Sequence, residues 1–439
     1  MPTSTPPSPA PPPPLPADPY TAIEVWRFPP VRRLLLSNFA LYAGVALQAT
    51  ALLKQAFDLT GNESDIGFIG LAEFLPAMLL VLVTGSVADR FPRKLVALAA
   101  VGGELLCSLA LMWYALRGPT SVGPLFVIAF FYGIGRAFQA PAIRSMPPMV
   151  APEGGLARTI ALFSATWTAA VIIGPAASGF LYAIDPWVAY AGSSVLIAIG
   201  WSGLLTLRFV RQPEPPDPDD KPSLHSAMEG LRFIRRSPVL FAAISLDLFA
   251  VLFGGAVALL PVIAEERLGV GDVAYGWLRA APGVGAAMMA VLIAVRPIRR
   301  RIGPTLFVAV ATFGVATLVL GLTRNYAVAF AALIVLSAAD MVSVFIRSSL
   351  VPLVTPDEKR GRVLAVENVF IGGSNELGAF ESGVAAQAFG TPATVIGGGI
   401  GTLVIVGVWA ALFPALRRID RFEDLDGFQG GERLQSTGG

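Results

Sequence analysis

The feature that most constrains this chain is a series of apolar runs, each about as long as a membrane is thick. An α-helix needs about 20 apolar residues to cross the hydrocarbon core, and runs of that length recur along the 439 residues. Charged residues make up 14% of the chain, against roughly 25% in soluble domains, and they cluster between the runs. The pattern predicts an all-α polytopic membrane protein.

We predict twelve transmembrane helices from these runs. Their bounds are about 33–57, 65–87, 94–116, 121–144, 157–184, 187–209, 238–264, 272–295, 303–322, 327–350, 361–389 and 393–416. The longest polar stretch between spans covers about 210–237 and divides them six and six. Its second part has apolar residues at helical spacing with arginines nearby, which suits a short amphipathic helix on the membrane surface.

Lys and Arg test this count, because they concentrate on the cytoplasmic side of membrane proteins. With the spans above, nearly all of the 32 basic residues fall on one side. The exceptions are Arg117, Arg267 and Arg324 on the other side, and Lys54, Arg136 and Arg279 within spans. We therefore expect both termini in the cytoplasm.

Five segments follow from the spans. Residues 1–26 are predicted to be a disordered, Pro-rich cytoplasmic tail without a secretory signal. The remaining segments are a six-helix bundle (27–210), a cytoplasmic linker with the amphipathic helix (211–237), a second six-helix bundle (238–421) and a disordered cytoplasmic tail (422–439).

The two bundles contain a repeated segment. Residues 136–158 align without gaps on residues 340–362, with matching Pro, Val and Arg positions. A duplicated six-helix unit predicts two bundles related by a pseudo-twofold axis, with the substrate site between them near the membrane midplane.

A charged stretch, GSVADRFPRK (85–94), joins the second and third predicted spans. Gly85 allows neighbouring helices to approach closely, and Asp89 can meet the positive N-terminal end of another helix. Such contacts can form in one conformation and break in another, so we interpret the loop as a conformational latch. The alternative is that its cations only set topology and bind anionic lipid. These cations are Arg90, Arg93 and Lys94.

This loop resembles the signature of the major facilitator superfamily, with Pro92 in place of a glycine. Proline stiffens the loop. Residues 366–390 and 397–421, supported by 57–80 and 135–142, resemble the superfamily's transmembrane secretion effector branch, which includes an enterobactin exporter. The resemblance implies a transporter with two six-helix bundles. It does not imply a particular cargo, because related sequences include drug and lipid transporters.

Charged side chains within spans are candidates for function, because each costs roughly 2.5–3.5 kcal/mol at midplane on insertion scales. Asp340 and Glu376 lie halfway along the tenth and eleventh spans, and the repeat places Arg136 opposite Asp340 in the first bundle. We predict that the two carboxylates carry protons or bind a cationic group, with Arg136 as counter-ion across the central cavity. The alternative is a structural salt bridge between the bundles.

Further polar residues accompany this set. Asn375 and Glu381 lie near Glu376 on the same span. Lys54 and Glu73 lie in the outer halves of adjacent spans, where we expect a structural ion pair; the alternative is that they contact substrate. Weaker candidates are Glu104, Asp247 and Arg279.

The sequence carries no enzyme signature. Cys107 is the only cysteine and His225 the only histidine, so no cysteine metal site or intramembrane histidine relay can form within one chain. We expect no cofactor, no metal and no nucleic-acid partner, and there is no nucleotide-binding domain for ATP-driven pumping.

Together with the resemblance, these observations favour a secondary transporter of the bacterial inner membrane that works by alternating access with proton antiport. The outward direction and the cargo are what the resemblance implies. The expected partners of this transporter are a small molecule (a siderophore or hydrophobic drug-like compound), membrane lipids and protons as coupling ion. We expect a monomer. The sequence does not decide whether the protein passes its cargo to an export partner in the periplasm or outer membrane. The alternatives are a lysophospholipid flippase or facilitator without a proton step, and a non-transporting receptor on a transporter fold.

Overall fold

The computed structural model describes residues 20–210 and 224–428. Most of both predicted tails and the first half of the predicted linker lie outside these residues. Helices form nearly all of the described chain, and no β-strand is found in it. The predicted all-α class is confirmed.

The described residues contain eleven long α-helices and one interrupted helix, and each falls on a predicted span. They are α1 (Pro29–Thr60), α2 (Glu63–Arg90), α3 (Arg93–Leu116), α4 (Gly123–Arg144), α5 (Leu156–Tyr182), α6 (Pro186–Thr206), α7 (Pro238–Arg267), α8 (Asp272–Val295), α9 (Ile302–Leu322), α10 (Tyr326–Val354), α11 (Asp357–Phe389) and α12 (Thr391–Leu412). Within the described residues, ten are long and apolar enough to cross a membrane; α2 and α11 are the other two.

The described residues also form shorter helices before, between and after these twelve elements. Ala22–Arg27 precedes α1, Pro147–Val150 follows α4, Leu224–Arg236 lies within the predicted linker, and Pro414–Arg417 and Phe422–Phe428 follow α12. The helix Ala22–Arg27 begins with a capping box, in which Thr21 and Glu24 satisfy each other's backbone N–H groups. Gly61, whose φ is 67°, ends α1 in the left-handed conformation and allows a tight turn into α2.

The interruption of α7 coincides with glycine and proline. Its α-helical part ends at Phe253, a 3₁₀ turn spans Gly255–Val257, and a π-helical turn covers Ile263–Arg267. A Cβ on Gly255 would lie 2.2 Å from the carbonyl oxygen of Gly378, so the break lets α11 cross α7 at backbone contact.

The halves meet through two pairs of helices, α2 with α11 and α5 with α8. The internal repeat equates α2 with α8 and α5 with α11. The two pairs are therefore equivalent, as a pseudo-twofold relation between the halves predicts. Small residues permit the contact, because association in lipid depends on close packing rather than on a hydrophobic driving force. A Cβ on Gly179 of α5 would lie 2.6 Å from the carbonyl oxygen of Asp272 at the start of α8.

We call the side with residues 20 and 428 the terminal face and the opposite side the distal face. Ionic and polar contacts join the halves at the distal face. The Lys54 ammonium lies 2.8 Å from the Glu265 carboxylate and 3.7 Å from that of Asp272. Tyr275 donates a hydrogen bond of 3.0 Å to the Thr50 carbonyl. These contacts close the distal face.

Candidate functional site

The Arg136 guanidinium on α4 lies between two carboxylates from different halves of the molecule. Its Nη1 is 3.5 Å from Oε2 of Glu73 on α2 and 3.5 Å from Oε1 of Glu376 on α11. The Arg136 side chain is 48% exposed, and those of Glu73 and Glu376 are 12% and 22% exposed. Because charge-assisted hydrogen bonds are usually 2.7–2.9 Å long, both ion pairs are loose and can exchange partners. We call these three residues the central cluster.

Close helix packing positions the central cluster. A Cβ on Gly133 would lie 2.2 Å from the Glu73 carbonyl oxygen, so α4 packs directly on the α2 backbone. Arg136 lies about one helical turn after Gly133 and is thereby placed beside α2. A Cβ on Gly70 would lie 3.4 Å from Oε2 of Glu376. The Glu376 carboxylate therefore lies against α2 at a position that has no side chain.

Arg279 on α8 supplies a second cation beside this cluster. Its Nη1 donates a hydrogen bond of 3.1 Å to the Val257 carbonyl, in the interrupted part of α7. Its charge acts on both Glu73 and Glu376. The two carboxylates thus face one arginine from each half.

Two predicted ion pairs are not formed. Glu73 pairs with Arg136, whereas Lys54 pairs with Asp58 on its own helix and with acids of the other half. The prediction was wrong because Lys54 lies near the distal end of α1, where the acids at the ends of α7 and α8 compete for it.

Arg136 does not pair with Asp340 either. The repeat correctly equates their positions on α4 and α10, but α2 and α11 supply the carboxylates that Arg136 meets. Asp340 lies instead in the second half, on one face of α10 with Ser343 and Arg347, and the charges of Asp247 and Arg347 act on it. Arg136 and Asp340 therefore occupy equivalent positions in the two halves without contacting each other.

The second half contains a buried charged cluster that sequence reasoning found only in part. Arg347 Nη2 lies 2.8 Å from Oδ1 of Asp247, and its Nη1 lies 3.7 Å from Oε1 of Glu367. Ser343 donates to the same Asp247 oxygen at 3.3 Å. The three charged side chains are at most 8% exposed, and they join α7, α10 and α11. We call Asp247, Arg347 and Glu367 the buried triad.

Arg347 and Glu367 were not predicted from the sequence as site residues. Arg347 was counted among the cations at the cytoplasmic edge, because the predicted tenth span ended near residue 350. The helix continues to Val354, so Arg347 lies two turns before its end. The apolar run on both sides of Arg347 was the signal that could have placed it inside the helix.

Asn375 and Glu381 take no part in these clusters. Asn375 donates its side-chain amide to the Ile371 carbonyl of its own helix at 2.8 Å, and it is exposed. Glu381 is exposed on α11 and has no ion pair among the described residues.

The predicted latch coincides with the turn from α2 to α3. Gly85 and Asp89 lie in the last turns of α2 and Arg90 is its final residue, but their side chains are outside the described set. Lys94 donates hydrogen bonds of 2.8 Å to the carbonyls of Leu205 and Leu207. It thereby satisfies free carbonyls at the negative C-terminal end of α6. Arg93 begins α3 and is partly buried.

Similar proteins include transporters of several cargoes. The chain is 26% identical over 245 residues to macrolide efflux protein A of Streptococcus pyogenes, a match covering 53% of this chain and 59% of that protein. It is 24% identical to the multidrug efflux pump Tap of Mycolicibacterium fortuitum, covering 89% of this chain and 97% of Tap. It is 23% identical to the enterobactin exporter EntS of Escherichia coli O1:K1 / APEC, covering 89% and 93%.

A solved structure shares the arrangement of helices. A mutant of the nucleoside transporter NupG superposes with a TM-score of 0.71 at 14% identity, covering 88% of this chain and all of NupG. The sequence profile of the Major Facilitator Superfamily matches residues 34–379, most of the chain. The chain is therefore a multi-pass membrane protein that belongs to the Major Facilitator Superfamily.

Proposed function

We propose that this protein is a proton-coupled secondary exporter, and that the central cluster is where protons and transport are coupled. The observation that carries the proposal is the position of Arg136, held between Glu73 of its own half and Glu376 of the other. The Arg136–Glu376 pair ties the halves together near midplane while the distal face is closed.

The strength of this tie depends on the protonation of Glu376. Two unit charges at this separation attract by roughly 5 kcal/mol at an effective dielectric constant of 20. Adding a proton to Glu376 removes that attraction. A transmembrane potential of 100 mV supplies about 2.3 kcal/mol per charge, so the tie and the driving force are of comparable size.

An exchange cycle follows from this balance. The empty, deprotonated transporter is locked, because the tie opposes separation of the halves at the distal face. Either cargo that engages Arg136 or Glu376, or a proton on Glu376, releases the lock. Cargo then leaves in one direction and a proton returns in the other, as antiport requires.

Direction and cargo come from the similar proteins. Macrolide, multidrug and enterobactin exporters all match this chain. We propose outward export of a siderophore or a hydrophobic drug-like compound from a bacterial inner membrane. The basic residues favour a cytoplasmic terminal face, so the distal face would be periplasmic.

Two further roles complete the proposal. Asp340, next to the buried triad, is a second candidate proton carrier in the second half. The latch, comprising Gly85, Asp89, Arg90, Arg93 and Lys94, holds the terminal ends of the helices in one conformation.

Transport driven by a pH gradient tests the proposal. Purified protein in liposomes is given an imposed pH gradient, and accumulation of a radiolabelled macrolide is measured with and without a protonophore. Glu376→Gln should abolish gradient-driven accumulation, because the tie can no longer respond to protons. Glu358→Gln is the matched control, since Glu358 is exposed near the start of the same helix and lies outside both clusters.

Gradient-driven accumulation by Glu376→Gln equal to wild type would sink the assignment of the coupling residue. Transport by the wild-type protein that ignores the pH gradient would instead favour a facilitator, such as one for lysophospholipid.

A further inference from the structure

A lateral groove of about 720 Å³ lies between α3 and α4. Small-molecule sites typically measure 300–1,000 Å³, so the groove is large enough for a drug-sized compound. It is lined almost entirely by apolar side chains, among them Leu95, Leu106 and Phe131, which are 58%, 69% and 58% exposed. In a membrane, this exposure means that the groove opens to lipid.

Beside this groove lies a carboxyl group that the central cluster does not use. Glu104 is the middle residue of α3, is 0% exposed, and neither of its carboxyl oxygens has a hydrogen-bond partner among the described residues. An unpartnered polar group in an apolar environment is costly, and a charged one far more so. Because no described residue satisfies this carboxyl group, it is a candidate for binding a ligand.

The groove reaches Glu104 through small residues. Ala100 and Cys107 lie one turn before and one turn after Glu104, and both line the groove together with Gly103 and Gly135. A Cβ on Gly103 would meet nothing within 4 Å, and one on Gly135 would lie 3.0 Å from Cγ of Glu104. Because glycine has no side chain, no side-chain atom at positions 103 and 135 separates the Glu104 carboxyl group from the groove. Rotation about the Glu104 side-chain bonds can therefore bring the carboxyl group into the groove.

The charged and titratable groups around Glu104 are few. They are Arg136 and Tyr132 on α4, Glu73 on α2, Tyr42 on α1 and Cys107 on α3. Arg136 is engaged by Glu73 and Glu376, which leaves Glu104 as the one carboxyl group of this set that has no ion pair in the described chain.

We propose that the groove is a binding site for amphipathic amines, in which the apolar body fills the groove and Glu104 binds the ammonium group. The ammonium N–H donates to the Glu104 carboxylate, and the proton that had kept the carboxyl group neutral leaves to solvent. One positive charge enters as one leaves, so the net charge of the site is unchanged. This inference rests on the proposed export function and names a cargo class that enters from the bilayer.

Cys107 provides a reporter inside the groove. It is the only cysteine in the chain, so N-ethylmaleimide alkylates one site, and intact-mass spectrometry follows the reaction. The probes are N,N-dimethyldecylamine, which is an ammonium ion with one N–H at neutral pH, and decanoate, which has a similar apolar chain and the opposite charge. Each is titrated against purified full-length protein, and each variant is normalised to its own rate without a probe.

We expect the cation to protect Cys107 and the anion to leave its rate unchanged. At ten times the half-protecting concentration, alkylation should slow about tenfold, because only the empty fraction reacts. Glu104→Gln keeps the side-chain shape and should abolish protection by the cation.

A second variant keeps the test decisive if Glu104→Gln does not fold. Gly103→Leu fills the groove where the structure leaves room, so it should weaken protection while Glu104 stays in place. A monodisperse size-exclusion profile identifies folded protein for both variants.

Equal protection by both ions would overturn the proposal in favour of a groove that accepts any apolar occupant, such as a lipid chain. Protection by neither ion, or protection that survives Glu104→Gln, would also overturn it. The assay measures binding without a gradient, so its failure is distinguishable from failure of proton coupling at Glu376.

Discussion

At the scale of single residues, the molecule holds two kinds of intramembrane charge. The central cluster is partly exposed and its ion pairs are 3.5 Å long, whereas the buried triad is nearly sealed and contains a pair at 2.8 Å. Loose, partly exposed pairs can exchange partners. Tight, sealed pairs resist exchange, so we assign the triad a mainly structural role and coupling to the central cluster.

Removing the cation of the buried triad should strongly destabilise the protein. Arg347→Gln leaves Asp247 and Glu367 without their cation, and breaking a buried pair in this way typically costs about 3–5 kcal/mol. The melting temperature of the detergent-solubilised protein, followed by intrinsic fluorescence, checks this expectation.

Arg300→Gln is the control for that experiment. Arg300 pairs with Asp420 at 3.5 Å, but its side chain is 70% exposed, and surface pairs contribute about 0–1 kcal/mol. A similar small shift for both variants would contradict the structural role of the triad.

Residue identities could be predicted better than residue partners. Arg136 and Glu376 were identified because charges inside apolar runs stand out in a sequence. Their contact could not be derived, because residues 136 and 376 meet only where α2 packs between α4 and α11. Glu73 and Lys54 were misassigned to each other for the same reason: chain position fixes depth in the membrane but not the neighbouring helix.

At the scale of elements, the distal face closes through the ends of α1, α7 and α8. Lys54 is the shared cation, with acids from both halves around it. Next to it, Val262 of α7 packs against Phe57 and Ile66 of the first half. A charged clasp and an apolar contact therefore close the same gap.

Neutralising Lys54 should loosen this clasp. In a Cys107→Ser background, Val262→Cys places a reporter that is 1% exposed at the native position. Lys54→Gln should increase its labelling by a membrane-impermeant maleimide, because Asp58, Glu265 and Asp272 then repel one another across the gap. Lys54→Arg keeps the charge and should stay near the parent rate. Unchanged labelling in Lys54→Gln would mean that the apolar contact alone closes the face.

Helix positions followed from the sequence more closely than helix ends. Apolar runs located all twelve elements because lipid penalises unpaired backbone polar groups, which forces each run to be helical. The break in α7 was not predicted, since Gly254 and Gly255 matter only where α11 crosses them. The extension of α10 past residue 350 was also missed, because it runs through Pro352, and a proline usually breaks or ends a helix.

At the scale of the whole molecule, two six-helix halves related by the repeat are joined at midplane and at the distal face. We infer that the Arg136–Glu376 pair holds this closed arrangement until a proton or cargo releases it. If so, one protonation changes the distance between the halves in opposite directions at the two faces.

Distances between spin labels test this claim most directly. One pair, Arg144→Cys with Ser348→Cys, lies at equivalent repeat positions near the terminal face. A second pair, Thr120→Cys with Arg324→Cys, lies at equivalent positions near the distal face. Both pairs are placed separately in the Cys107→Ser background, and electron–electron double resonance measures each distance as the pH is lowered.

We expect acidification to lengthen the distal distance and to shorten the terminal one, and we expect Glu376→Gln to produce the same shift at neutral pH. Distances that ignore both acidification and Glu376→Gln would contradict the claim that protonation of this carboxylate releases the halves.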